Sequence, residues 1–281
     1  MTPDITKAAR ELLDFYIEAG VDTPLGEEPN DRFADRSTVP PQRARERAET
    51  STRPTATDVE RRMVRPSTPA INVAAPPAPD AAALAAREAA RSAATLEDLR
   101  AILEQFDGCA LKTTATQLVF ADGNPHAPLM FVGEAPGRDE DLAGRPFVGR
   151  SGQLLDRMMA AIGIDRSEAY IANIVPWRPP GNRTPTPQES QICLPFILRQ
   201  IELANPDILV CLGGPSAQTL LGIKDGIRKA RGRWLAYHTG TREIRAIATF
   251  HPAYLLRSPL EKRLAWRDFL AIKAALAAPA G

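Results

Sequence analysis

Four short runs of mostly apolar residues, at 129–132, 169–175, 208–212 and 244–250, constrain the fold of this chain more than any other feature. Each has the length of a strand, and the first is apolar on both faces and bounded by turn residues. Helical patterns at 151–162, 187–204, 215–221 and 259–277 alternate with them. Strands joined through helices form right-handed crossovers, so the pattern predicts a parallel sheet covered on both faces. A further strand is expected at 117–120. An Ala-rich helix at 81–105 leads into the sheet, with Leu84, Leu96, Leu99, Ile102 and Leu103 available for its buried side.

The N-terminal part reads differently. Residues 4–20 carry an amphipathic helix pattern, with Leu12, Leu13, Phe15, Tyr16 and Ile17 on the apolar side and Gly20 as the stop. The stretch 23–80 is rich in Pro, Arg, Thr and Ala and cannot bury enough apolar surface to offset its ordering entropy. The expected organisation is an N-terminal helix over 1–22, a disordered linker over 23–80 and one α/β domain over 81–281. A formal net charge of +1 leaves any nucleic-acid affinity to local patches. No run reaches the roughly 18 apolar residues of a membrane span, and no signal-peptide core is present at the start. Three scattered cysteines argue against a disulfide scaffold. A soluble cytoplasmic protein is expected.

The chemistry collects at the strand ends, the edge where open α/β sheets bind ligands. The first strand opens into Gly133-Glu134-Ala135-Pro136-Gly137. The segment Arg145-Pro146-Phe147-Val148-Gly149-Arg150-Ser151-Gly152 then adds an aromatic ring, arginines and backbone donors. Two glycines after a strand are by themselves an ordinary connection, and the loop fits neither a Walker A nor a dinucleotide pattern. The second strand embeds Asn173 in an apolar run, where a buried amide serves as readily in core hydrogen bonding as in ligand contact. The third ends in Gly213-Gly214-Pro215, a helix N-terminus with free backbone donors.

The fourth strand ends in His251-Pro252-Ala253-Tyr254-Leu255-Leu256-Arg257. An apolar tip between cationic groups is a device for entering a DNA base step, the alternative being that Leu255 packs into its own loop. A polar cleft beside a wedge suggests an enzyme that extracts a single base.

Taken in order, four motifs resemble those of the family 4 uracil-DNA glycosylases. They are Gly133-Glu134-Ala135-Pro136-Gly137, Gly144-Arg145-Pro146-Phe147-Val148-Gly149, Arg178-Pro179-Pro180-Gly181-Asn182-Arg183-Thr184-Pro185 and His251-Pro252-Ala253-Tyr254-Leu255-Leu256-Arg257. The likeness runs from about Phe106 to the C-terminus. It implies a three-layer α/β/α sandwich with a central four-stranded parallel sheet, and hydrolysis of the bond between uracil and deoxyribose.

The resemblance also implies roles. Phe147 stacks on a flipped uracil, Asn173 pairs with its N3–H and O4, and His251 donates to O2. Glu134 positions the attacking water. Ala135, beside the base, stands where other glycosylases of the superfamily carry Asp. DNA contacts are expected from Arg150, Ser151, Gly152, Arg183, Gly214, Tyr254, Leu255 and Arg257, with Leu255 as the wedge. The expected partner is uracil-containing DNA, single- or double-stranded, met by a monomer.

The family usually holds a 4Fe–4S cluster with four cysteines, and the matching positions here are Phe106, Cys109, Trp177 and Cys193. With two thiolates no cofactor or metal is expected, and Phe106 and Trp177 would fill part of the space. A related cross-linking uracil-binding protein carries a basic insert that is missing between Trp177 and Thr186, so covalent trapping of DNA is not expected. The alternative function is a non-catalytic DNA-damage-binding module on the same fold. Retention of Glu134, Phe147, Asn173 and His251 together speaks against it.

Overall fold

The computed structural model describes residues 79–278. The expected N-terminal helix, and the linker up to residue 78, lie outside the described residues. Helix α1 (Pro79–Ser92) starts inside the stretch read as linker, and α2 (Leu96–Gln105) follows it. The single helix expected over 81–105 is therefore broken, and Thr95 is the reason. Its Oγ1 accepts the Asp98 N–H at 3.1 Å while Asp98 Oδ2 accepts the Thr95 N–H at 3.0 Å. This reciprocal cap starts a new helix where the alanines alone would carry the first one through.

The sheet has six strands: β1 (Asp122–Gly123), β2 (Leu129–Gly133), β3 (Ala169–Asn173), β4 (Ile208–Leu212), β5 (Trp234–His238) and β6 (Glu243–Thr249). Their spatial order is β1-β3-β2-β4-β6-β5. The central strands β3, β2, β4 and β6 are parallel, as expected. The edges β1 and β5 are antiparallel additions to the four-stranded expectation. Strand β5 buries only Tyr237, so no apolar run marks it. The strand expected at 117–120 is not part of the sheet. Val119 is buried there, and its N–H donates to the Pro176 carbonyl at 2.9 Å.

Helices α3 (Arg138–Ala143) and α4 (Arg150–Ala161) connect β2 to β3, and α5 (Pro187–Ala204) connects β3 to β4. Between β4 and β5 lie α6 (Gly214–Leu221) and α7 (Ile227–Ala230). After β6 come α8 (Pro252–Arg257) and α9 (Lys262–Ala277). Alternate strand residues face opposite layers. Leu129, Phe131, Ile171, Val210 and Ile247 pack with Leu155 and Met159 of α4 and Phe269 and Ile272 of α9. Met130, Val132, Ala172, Leu209 and Ala248 pack with Leu99 and Leu103 of α2, Phe196 and Ile197 of α5 and Ala217 of α6. Both faces are covered, so the central strands read as nearly unbroken apolar runs. The result is the expected α/β/α sandwich. Among the described residues no helix is long and apolar enough to cross a membrane.

Candidate active site

At the carboxyl ends of the parallel strands lies a cleft of about 530 Å³. Of the residues expected from the sequence, Glu134, Ala135, Phe147, Ser151, Asn173, Arg183, Gly214, His251, Tyr254 and Arg257 line it. Arg150, Gly152 and Leu255 do not.

Asn173 ends β3 and sits beside Gly133 in the register of β2. Its side chain is only 4% exposed, and Oδ1 has no hydrogen-bond partner among the described residues. A buried acceptor left in this state is costly, so it marks a place for an incoming donor. Gly133 makes room for it: a Cβ there would stand 2.4 Å from Asn173 Oδ1 and 2.7 Å from Phe147 Cζ. The absence of a side chain lets the amide and the aromatic ring meet across the strand end.

Phe147 holds a left-handed backbone with φ of 54°. Such a conformation costs a non-glycine residue on the order of 1–3 kcal/mol and persists only where the surroundings impose it. Glu140 is one such constraint. Its Oε1 accepts the N–H groups of Val148 (3.0 Å) and Gly149 (2.9 Å), while Oε2 accepts that of Gly137 (3.1 Å). One buried carboxylate thereby ties together the two loops that wall the cleft. Gly152 is another, since a Cβ there would lie 1.7 Å from the Phe147 carbonyl oxygen. Gly152 is buried against the Phe147 carbonyl and supports the loop.

His251 caps α8, and its Nδ1 accepts the Ala253 N–H at 3.1 Å. The proton of the neutral ring therefore sits on Nε2. Burial, with a smaller contribution from the Arg257 charge, pulls the His251 pKa down to about 4. Its ring centroid is 5.5 Å from that of Phe147. Just before it, Thr249 Oγ1 donates to Asp268 Oδ2 at 2.6 Å, and Arg231 pairs with the same carboxylate. Glu134 follows β2 directly, and burial raises its pKa above the ordinary carboxylate value.

Leu255 requires correction. It is fully buried against Phe250 and Ala265, so it is not an exposed wedge. The chain after His251 is helical, and one step of about 100° along a helix turns a side chain from core to surface. Leu256 is the leucine that faces out, at 37% exposure. Arg183 reaches the cleft but is also held by Glu189, through Nη1 to Oε2 at 2.8 Å and Nη2 to Oε1 at 2.6 Å. Arg150 is exposed at the start of α4, outside the cleft lining.

Sequence reasoning missed Glu140, Asp268 and Arg166. The first follows a cap position by three residues, which is a signal for an N-terminal carboxylate. The second is a charge within an otherwise apolar helix face, a signal for a buried pair. Nothing local marks Arg166.

The four positions that match cluster ligands in the resembling family belong to the one apolar cluster on the α5 side of the sheet. Cys109 Sγ is 3.9 Å from Cys193 Sγ. Trp177 is 1% exposed, and Phe106 packs edge-on against Phe196 at 5.0 Å between centroids. Hydrogen bonding to Cys109, with burial, pushes the Cys193 thiol up, while the bond from Cys193 lowers Cys109. Among the described residues no three His, Cys, Asp or Glu side chains are grouped to hold a metal. Two thiols beside two aromatic side chains do not fit a four-cysteine cluster.

The fold and the site together define an α/β domain with a cleft of about 530 Å³ at the carboxyl ends of its parallel strands, where Phe147 and the buried Asn173 amide line one wall. Comparison with known proteins narrows this. The family model for the uracil DNA glycosylase superfamily matches residues 120–270. A type-4 uracil-DNA glycosylase of Thermotoga maritima is 46% identical over 151 residues, 53% of this chain and 77% of that protein. That of Archaeoglobus fulgidus is 40% identical over 169 residues, 59% of this chain and 85% of that protein. The chain belongs to the uracil-DNA glycosylase superfamily and, within it, to the type-4 family.

Proposed function

We propose that the protein is a uracil-DNA glycosylase, which flips uracil out of DNA, hydrolyses its glycosidic bond and leaves an abasic site for base excision repair. The observation that carries this reading is the buried Asn173 Oδ1 at the wall of the cleft, which has no partner among the described residues. Uracil offers it a donor, N3–H, and the amide nitrogen can in turn donate to O4. Cytosine presents the reverse pattern at both positions and leaves buried groups unpaired. The names of the type-4 relatives support the same activity.

In this mechanism the extruded ring stacks on Phe147, with Ala135 beside it. His251, neutral at physiological pH, donates from Nε2 to uracil O2, where charge grows as the C1′–N1 bond breaks. The electron pair of that bond leaves with uracil. Water adds to C1′ of the cation-like sugar, and its proton passes to the Glu134 carboxylate and then to the uracil anion. Burial raises the basicity of Glu134, which suits it to the role.

Arg150, Ser151, Arg183, Gly214, Tyr254 and Arg257 serve the DNA strand around the flipped nucleotide. The domain over 81–281 works without an iron–sulfur cluster, the packing of Phe106 and Trp177 taking its structural place.

The test is a labelled uracil-containing oligonucleotide, followed by alkaline cleavage at abasic sites. Wild-type protein is expected to release uracil and leave an alkali-labile site, and Asn173→Ala to lose about 100-fold in kcat/KM while keeping its fold. A normally folded Asn173→Ala with near-full activity would overturn the base-reading role.

A further inference from the structure

Phe147 is held in its left-handed conformation from outside the cleft. We propose that Arg166 is the positioning residue that keeps the Phe147 ring set for the base, an inference that rests on the uracil-excision reading. Arg166 begins the short 3-10 turn Arg166–Glu168 ahead of β3 and does not line the cleft. Its guanidinium gathers four acceptors from three segments. Nη2 donates to the Phe147 carbonyl and Nη1 to the Pro146 carbonyl, the latter at 3.2 Å. Nη1 also pairs with Asp122 of β1, and Nε with Asp156 Oδ1 of α4 at 2.8 Å.

The two carboxylates lock the fork, and the fork locks the two carbonyls. Capture of consecutive carbonyls fixes the peptide planes on either side of the Phe147 Cα, so the direction of its side chain follows. From the opposite side Glu140 holds the next two N–H groups, and Gly152 lies against the same carbonyl. The loop is therefore gripped by a cation at its carbonyls and an anion at its amides. A planar guanidinium can serve two carbonyls and two carboxylates together, whereas an ammonium cannot span that arrangement. A ring displaced by about 1 Å stacks poorly on a flipped base, and displacement on that scale costs about 100-fold in rate.

The competing account is that Arg166 merely joins β1 to α4. A double-mutant cycle separates the two. Single-turnover uracil excision is measured for the wild type, Arg166→Ala, Phe147→Ala and the double variant, with thermal melts alongside. Arg166→Ala is expected to fall about 10- to 100-fold. In the Phe147→Ala background the same change is expected to cost less than about 2-fold, because no ring remains to be positioned. If Arg166→Ala does not fold, Arg166→Lys carries the same cycle, with a loss of about 10-fold expected only where Phe147 is present.

Losses that multiply in the double variant, or a single variant within about 3-fold of wild type, overturn the positioning role. Absence of uracil release by the wild type overturns both readings. An active wild type with multiplying losses overturns this one alone.

Discussion

Gly133→Ala is the sharpest perturbation this site offers, because one methyl group meets both recognition elements at once. Gly133 has no left-handed backbone requirement, so alanine can adopt its conformation and the effect is purely steric. The new Cβ would stand 2.4 Å from Asn173 Oδ1 and 2.7 Å from Phe147 Cζ, whereas ordinary contact begins at 3.4 Å. The amide must therefore retreat by roughly 1 Å, which stretches a hydrogen bond of ordinary length beyond its useful range. Loss of that geometry predicts a fall of about 100-fold in kcat/KM, or about 2.7 kcal/mol. The accompanying overpacking costs about 1–3 kcal/mol of stability, a few degrees in Tm, which leaves the domain folded. Single-turnover excision and a thermal melt on the same preparation measure both. Gly226→Ala serves as control, since its Cβ meets no atom within 4 Å and its φ is −63°. Activity of Gly133→Ala within about 3-fold of wild type would refute the account of how Asn173 and Phe147 share the strand end.

Other consequences follow from the buried groups. Leu255→Ala should destabilise the domain by about 2–5 kcal/mol and slow excision from single strands and from a U·A duplex alike. A loss confined to duplex DNA, with Tm unchanged, would restore the wedge. Burial lifts the Glu134 pKa above that of an ordinary carboxylate, so excision should decline on acidification at a higher pH than an exposed glutamate would impose. This acid limb should persist in His251→Gln and vanish from the residual activity of Glu134→Gln. His251, at about 4 against 6.5, is neutral in the fold where the unfolded chain is protonated. Stability therefore falls as pH drops through that window, by at most about 1.4 kcal/mol per pH unit, and urea melts of His251→Gln should lose this slope. Purified protein should be colourless, and about four irons per chain in anaerobically prepared material would contradict the aromatic replacement of the cluster.

The central strands were legible because helices cover both faces of the sheet, which leaves β2 and β4 without a polar residue to interrupt them. Edge strand β5 was not, since its exposed side admits residues such as Trp234 and His238 that break the pattern. The break between α1 and α2 hid because the alanines before Thr95 and the leucines, Glu97 and Arg100 after it all favour helix. Asn173 and His251 could be found because polar groups at the ends of apolar runs are conspicuous. The phase of α8 could not, so the sequence does not tell the buried Leu255 from the exposed Leu256. Arg166 lies 19 positions from Phe147 in the chain, and its grip on a backbone carbonyl depends on side-chain geometry that no spacing encodes.

The measurement that bears most directly on the central claim compares two oligonucleotides, one with deoxyuridine and one with N3-methyldeoxyuridine at the same position. Methylation removes the single donor that Asn173 Oδ1 is built to accept and leaves the scissile bond intact. The account predicts that free uracil and an abasic site appear in a single turnover, and that the methylated base is released at least about 100-fold more slowly. Binding of uracil-containing DNA without release of base, or release of both bases at equal rates, would contradict it.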